Sequence, residues 1–70
     1  MTGDPPISEG DEGYEEVVAY GEKGDPIVKV DGYTVFVDEW RGDKRPDVGD
    51  EIAFRVTNAG PDFGFAEEVS

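Results

Sequence analysis

An Asp-Gly pair, Asp31-Gly32, separates two β-rich runs, Ile27-Val28-Lys29-Val30 and Tyr33-Thr34-Val35-Phe36-Val37. A type I′ turn needs positive φ at both central residues, and Asp-Gly meets that need at little steric cost. The two runs are therefore expected to form an antiparallel hairpin, around which the remaining elements must be arranged. Those elements read as short strands. Tyr14 to Tyr20 carries Val17, Val18 and two aromatics, and stops at Gly21. Gly24-Asp25-Pro26 breaks the chain. Glu51 to Thr57 alternates, with Ile52, Phe54 and Val56 on one face and Ala53, Arg55 and Thr57 on the other. Asn58-Ala59-Gly60-Pro61-Asp62 is a turn, and Phe63 to Val69 is the last strand. Asp38 to Gly49 reads as a polar loop closed by Pro46 and Val48-Gly49-Asp50. Five short strands with little room for a helix predict an all-β, closed or partly open barrel, because closure removes edges that so short a chain cannot otherwise cover.

Residues 1 to 13 differ from the rest. They hold Pro5-Pro6, three glycines, four acids and one larger aliphatic residue, Ile7. Such a composition predicts a disordered acidic leader over 1–13 and a folded barrel over 14–70. The acidic tail is either a solvated appendage or a competitor with an anionic ligand for the basic residues.

The chain of 70 residues has a formal charge of −12, from eighteen acidic and six basic residues, and has neither cysteine nor histidine. Disulfides, thiolate metal sites and every nucleophile that depends on a histidine base are excluded. No stretch approaches the ~20 apolar residues of a membrane span, and Met1-Thr2-Gly3-Asp4 lacks the pattern of a signal peptide. A cytoplasmic protein without membrane contact is expected. Carboxylates at Asp43, Asp47 and Asp50 lack the ligand spacing of a known cation loop. Neither metal nor cofactor is expected, and an enzyme is not expected, since the interior of so small a barrel offers no pocket in which to separate carboxylate pKa values. The acids are spread along the chain rather than gathered in a block. At about 1 M salt the Debye length falls to about 3 Å, and their mutual repulsion is largely screened. The composition therefore reads as adaptation to a salty cytoplasm; an acidic binding surface for a cationic partner is the alternative.

Three phrases stand in order: Gly21-Glu22-Lys23-Gly24-Asp25 leading into the hairpin through Val37, then Gly49-Asp50-Glu51-Ile52, then Phe63-Gly64-Phe65-Ala66-Glu67. Together they resemble the TRAM domain, over about Tyr14 to Ser70. The resemblance implies an OB-like, five-stranded β-barrel that binds RNA. Attached to larger enzymes, such a domain helps to hold tRNA or rRNA substrates. Standing alone in archaea, it implies a small RNA chaperone akin to cold-shock proteins, here from a halophile. Cold-shock domains share the Gly-Phe and Val-Phe-Val phrases but place the Gly-Phe phrase first; here Phe63-Gly64-Phe65 follows Val35-Phe36-Val37. The loop from Asp38 to Pro46 is longer than the short proline-containing loop of TRAM relatives.

Candidate RNA-binding residues fall into two groups. Arg41, Lys44 and Arg45 lie in five positions beside Trp40. Cations that track phosphates beside an aromatic that stacks a base are what single-stranded RNA binding needs. The alternative is that Trp40 caps the barrel and the cations pair with Asp38, Glu39, Asp43 and Asp47. On the hairpin, Tyr33, Val35 and Val37 share one face and Phe36 takes the other. With the valines inside, Phe36 projects outward as a stacking residue, with Lys29 near by; a β-bulge would reverse this. Phe63 is a loop-edge stacking residue or a core residue, and Phe65 and Phe54 are expected in the core. Arg55, outward and isolated, is a candidate phosphate contact, and Tyr33 is a further stacking candidate or a half-buried barrel residue.

Acidity and RNA binding are compatible. In molar salt, counterion release contributes little, so stacking must carry more of the affinity. The expected function is a low-specificity single-stranded RNA binder, acting on tRNA or rRNA, ribosome-associated and monomeric. The rival is an acidic interaction module for a basic partner such as a ribosomal protein. The charge predicts that the fold weakens as salt is lowered. A ¹H–¹⁵N spectrum should be dispersed at about 2 M salt and collapse at low ionic strength; a dispersed, stable low-salt spectrum would contradict salt adaptation.

Overall fold

The computed structural model describes residues 6–40, 42 and 44–69. The described residues form six strands and no helix: β1 (Glu12–Glu16), β2 (Ala19–Tyr20), β3 (Pro26–Val30), β4 (Tyr33–Glu39), β5 (Glu51–Ala59) and β6 (Phe63–Glu68). Accordingly, no helix among them is long and apolar enough to cross a membrane. One sheet holds all six strands in the order β1-β5-β6-β4-β3-β2. Every pairing is antiparallel except that of β4 with β6.

The two ends of that order are consecutive in the chain. Between β1 and β2, Val17 donates its N–H to the Asp50 carbonyl at 2.8 Å, and Val18 donates to the Ile27 carbonyl at 2.8 Å. One bent run thus pairs with β5 through its first half and with β3 through its second. The sheet curls until its ends meet in that run. Taken as one bent strand, β1 and β2 make the count five, and the architecture is the small all-β barrel that the sequence pattern predicts, OB-like as the TRAM resemblance implies. The single strand expected over Tyr14 to Tyr20 is this run, begun two residues earlier and bent at Val17.

The central hairpin forms where the Asp-Gly pair places it. Asp31 has φ 53° and Gly32 φ 82°, and the register sets Val30 against Tyr33 and Val28 against Val35. Val17, Val28, Val35 and Val37 are fully buried, with Phe54, Val56, Ile52 and Ala66 beside them. The face of β5 assigned to the core by alternation is the face that is buried. β5 runs on to Ala59, two residues past the end expected at Thr57, and β4 to Glu39.

The leader begins to order before residue 14. Ile7 is 8% exposed and belongs to the core. Gly10 donates to the Val56 carbonyl at 2.8 Å, Val56 donates to the Asp11 carbonyl at 2.8 Å, and Glu12 and Gly13 lie in β1. The physical reason is local. The one aliphatic side chain of the leader gains by burial, and the backbone behind it continues the ladder to β5. Residues 1–5 of the expected leader lie outside the described residues.

β6 presents Gly64 and Ala66 inward, both buried. Tyr33 fills the space that these small residues leave: its hydroxyl donates to the Gly60 carbonyl at 2.6 Å. A Cβ at Gly64 would stand 2.7 Å from the Asn58 carbonyl oxygen and 3.1 Å from the Tyr33 hydroxyl. Gly64→Ala is therefore expected to destabilise the barrel by about 1–3 kcal/mol through overpacking. Urea unfolding at fixed molar salt measures this, and a midpoint equal to that of the wild type would contradict the packing described.

Candidate nucleic-acid interface

With Tyr33, Val35 and Val37 inside, Thr34, Phe36 and Asp38 face outward on β4. With Gly64 and Ala66 inside, Phe63 and Phe65 face outward on β6. The parallel register sets Phe36 beside Phe65 and Thr34 beside Phe63. The three phenyl rings consequently meet. Centroids are 5.9 Å apart for Phe36 and Phe65, 5.5 Å for Phe36 and Phe63, and 5.7 Å for Phe63 and Phe65. Phe63 meets both of its neighbours edge to face, at 80° and 86°. This packing is favourable for rings with a negative face and a positive edge.

Phe36 rests on Gly21, where a Cβ would stand 2.8 Å from the ring. The β2–β3 turn can approach this closely because Gly21 has no side chain. Gly21 is tied down by its N–H, which donates to the Asp25 carbonyl at 2.8 Å. The rings, with Tyr20 and Ile27, floor an open groove of ≈ 710 Å³ whose walls include Lys23 and Asp38. Phe63 is 45% exposed. Phe36 and Phe65 are half-buried beside it.

The residues expected to bind RNA are not all brought here. Phe36 and Phe63 are, and Lys29 lies one row away, donating from Nζ to the Thr34 hydroxyl at 2.7 Å. Tyr33 is not. It is 8% exposed, and its hydroxyl is committed inside the barrel, so it cannot stack a base. Arg55 is outward but not isolated. It pairs with Glu12 at 3.2 Å and Glu67 at 3.1 Å, because β5 lies between β1 and β6 and each neighbour presents a carboxylate. Trp40 is half-buried and lines a separate hollow with Lys44, Arg45 and Asp47. Lys44 is within 3.6 Å of Asp47. Arg41 lies outside the described residues.

Arg45 has a structural role. Its guanidinium lies 4.4 Å above the Tyr20 ring, and Nη1 donates to the Gly24 carbonyl at 2.8 Å. Tyr20 in turn donates its hydroxyl to the Pro46 carbonyl at 2.8 Å. Together these contacts clamp the long loop after β4 onto the β2–β3 turn.

Two groove residues escape sequence reasoning. Phe65 is expected in the core, as a large apolar residue of a thin barrel, yet it is half-buried on the outer face. The interior beneath β6 is filled from β4 and β5, and the neighbouring small residues, Gly64 and Ala66, are the signal that the strand turns its phenylalanines outward. Lys23 lines the groove, and nothing in the sequence distinguishes it from any other turn lysine.

No family model matches this chain. It is similar to proteins named ribosomal RNA large subunit methyltransferase E. That of Halobacterium salinarum is 44% identical over 62 residues, which cover 89% of this chain and 22% of the relative. Those of Haloquadratum walsbyi and Natronomonas pharaonis are each 44% identical, over 66 and 64 residues, covering 91% of this chain and 23% of theirs. The chain thus spans about a fifth of the length of the curated relatives it matches. The expectation that the chain is not an enzyme is contradicted by these names, for the proteins that it resembles are named as methyltransferases.

The clamp generates a prediction. Arg45→Ala removes both the stacking on Tyr20 and the bond to Gly24, and is expected to cost about 0.5–1 kcal/mol of stability, the range for an exposed cation–π contact. Urea unfolding at about 2 M salt, where long-range charge effects are screened, isolates that loss. An unchanged midpoint would refute the clamp.

Proposed function

We propose that this chain is a TRAM-like RNA-holding module that serves the methylation of ribosomal RNA, and that it binds single-stranded RNA on the face made by Phe36, Phe63 and Phe65. The observation that carries this reading is the cluster of three rings within 6 Å of one another on the outer face of β4 and β6, Phe63 exposed and Phe36 and Phe65 half-buried. Every base has a π-face, so aromatics on such a face take up single strands with little regard to sequence, at about 1–3 kcal/mol per stacked base. OB-type barrels bind oligonucleotides on the face of their second and third strands and the adjoining loops; with the bent run counted as one strand, Phe36 lies on the third strand and Phe63 and Phe65 on the fifth, beside it. Relatives named as ribosomal RNA methyltransferases support ribosomal RNA as the partner. In this reading the barrel acts as a monomer in the cytoplasm. Lys29 meets the phosphates at the Phe63 end, and weak, sequence-tolerant stacking gives the protein an RNA-chaperone character.

The test is affinity for a fluorescent single-stranded RNA octamer at about 2 M salt. Phe36→Ala and Phe65→Ala should each weaken binding about tenfold, which corresponds to about 1.4 kcal/mol. Arg55→Ala and Lys44→Ala should stay within about twofold of the wild type, since exposed ion pairs contribute little at such ionic strength. Wild-type affinity in both phenylalanine variants would rule out the aromatic face as the binding site.

A further inference from the structure

The aromatic groove is flanked by charges of the sign that a polyanion should avoid. Glu22, Asp25 and Asp38 line it. Among the described residues, none of their three side chains has a hydrogen-bond or ion-pair partner. Their placement is one-sided. Asp38 is exposed on β4 two residues beyond Phe36, at the bulge where the register with β6 shifts between Val37 and Glu39. Glu22 and Asp25 belong to the turn whose Gly21 supports the Phe36 ring. Lys29 stands at the other end, beside Thr34, which neighbours Phe63. Lys23 is the cation at the acidic end.

A strand lying across these rings offers anionic phosphates on one side and base edges on the other. Its phosphates favour the Lys29 end, which turns the base edges toward the carboxylates. In salt of about 1 M, with a Debye length of about 3 Å, a carboxylate several ångströms from a phosphate repels it only weakly. A hydrogen bond made in contact is not screened in that way. Ionised carboxylates only accept hydrogen bonds. Cytosine presents an exocyclic N4 amine and adenine an N6 amine, whereas a pyrimidine with O4 sets an acceptor where cytosine has its donor. Guanine presents an N2 amine as well. At position 4 of uracil acceptor would then face acceptor, and the one donor of its edge, N3–H, is flanked by the O4 and O2 acceptors.

We propose that Glu22, Asp25 and Asp38 are specificity determinants, which make the groove prefer bases with an exocyclic amine, cytosine, adenine and guanine, over uracil. This rests on the RNA reading of the aromatic face, and the experiment separates the two. Oligocytidine and oligouridine octamers have rings of the same size, so stacking is nearly matched and the amine is the difference. At about 2 M salt the wild type should bind the cytidine octamer at least about fivefold more tightly, an effect within the range for base-edge hydrogen bonds. The triple variant Glu22→Gln, Asp25→Asn, Asp38→Asn removes the charges and adds amide donors, and should bring the ratio near one, largely by improved uridine binding. Equal wild-type affinity for the two octamers, or a preference for uridine, would overturn the proposal and leave the RNA reading intact. So would a triple variant that binds both more tightly with the ratio unchanged, since the acids would then act only by repulsion. Binding of neither octamer, with capture of an oligoarginine peptide instead, would overturn the RNA reading itself.

Discussion

The barrel depends on the bend at Val17 and Val18. Either half of the run from Glu12 to Tyr20, left straight, would pair with only one neighbour and leave the other open. Bent, it serves β5 with one half and β3 with the other. The corner is held from both sides. Val17 is fully buried, its N–H reaches Asp50, and its carbonyl accepts from Gly49 at 2.9 Å. The consequences are largely geometric. Closure makes β4 and β6 central strands, side by side and parallel, without the crossover helix that an α/β protein would need, because β5 returns the chain between them. A face that only central strands can offer, broad and continuous across two of them, is where the three rings lie.

The basic residues divide by task. Arg55 bridges two strands through carboxylates, and Arg45 fastens a loop to a turn. The arginines have the planar groups suited to such fixed geometries. Lys29 and Lys23, flexible and more weakly committed, lie nearest the rings. The scarcity of cations is thus sharper than the net charge conveys, since two of them are occupied within the barrel. In concentrated salt this costs the protein little, because attraction at a distance is screened there. Contact remains effective: a ring against a ring, a guanidinium on a phenol, a donor against an acceptor.

How much could be read from the sequence depends on which interactions are local. The Asp31-Gly32 turn and the alternation from Ile52 to Val56 are properties of short segments, and both appear as expected. With them came the inward valines and hence the outward Phe36. Arg55 shows the limit. Alternation correctly turns it outward, but its partners come from strands distant in sequence, Glu12 by 43 residues and Glu67 by 12. Phe65 shows another. A strand that reads Phe-Gly-Phe-Ala has large residues on one face and small ones on the other, and size alone assigns the large face to the core. The assignment fails because Tyr33, on the neighbouring strand, already fills the interior over Gly64. Tyr33 and Phe65 are in effect exchanged: a candidate for base stacking is interior, and the expected core residue joins the rings of the outer face.

The angles within the aromatic cluster carry a further consequence. Phe36 and Phe65 are tilted by only 36°, while Phe63 stands at 80° and 86° to them. Flat partners laid on Phe36 and on Phe63 must face nearly perpendicular directions. Successive bases in an A-form helix are close to parallel, so a strand that uses both rings has to give up its own helical stack and turn sharply between two nucleotides. For an RNA strand bound as proposed, the cluster would be a corner in its path. A helix must open before it can follow that path, whereas a loop or a bulge, already splayed, can follow it without first being unwound.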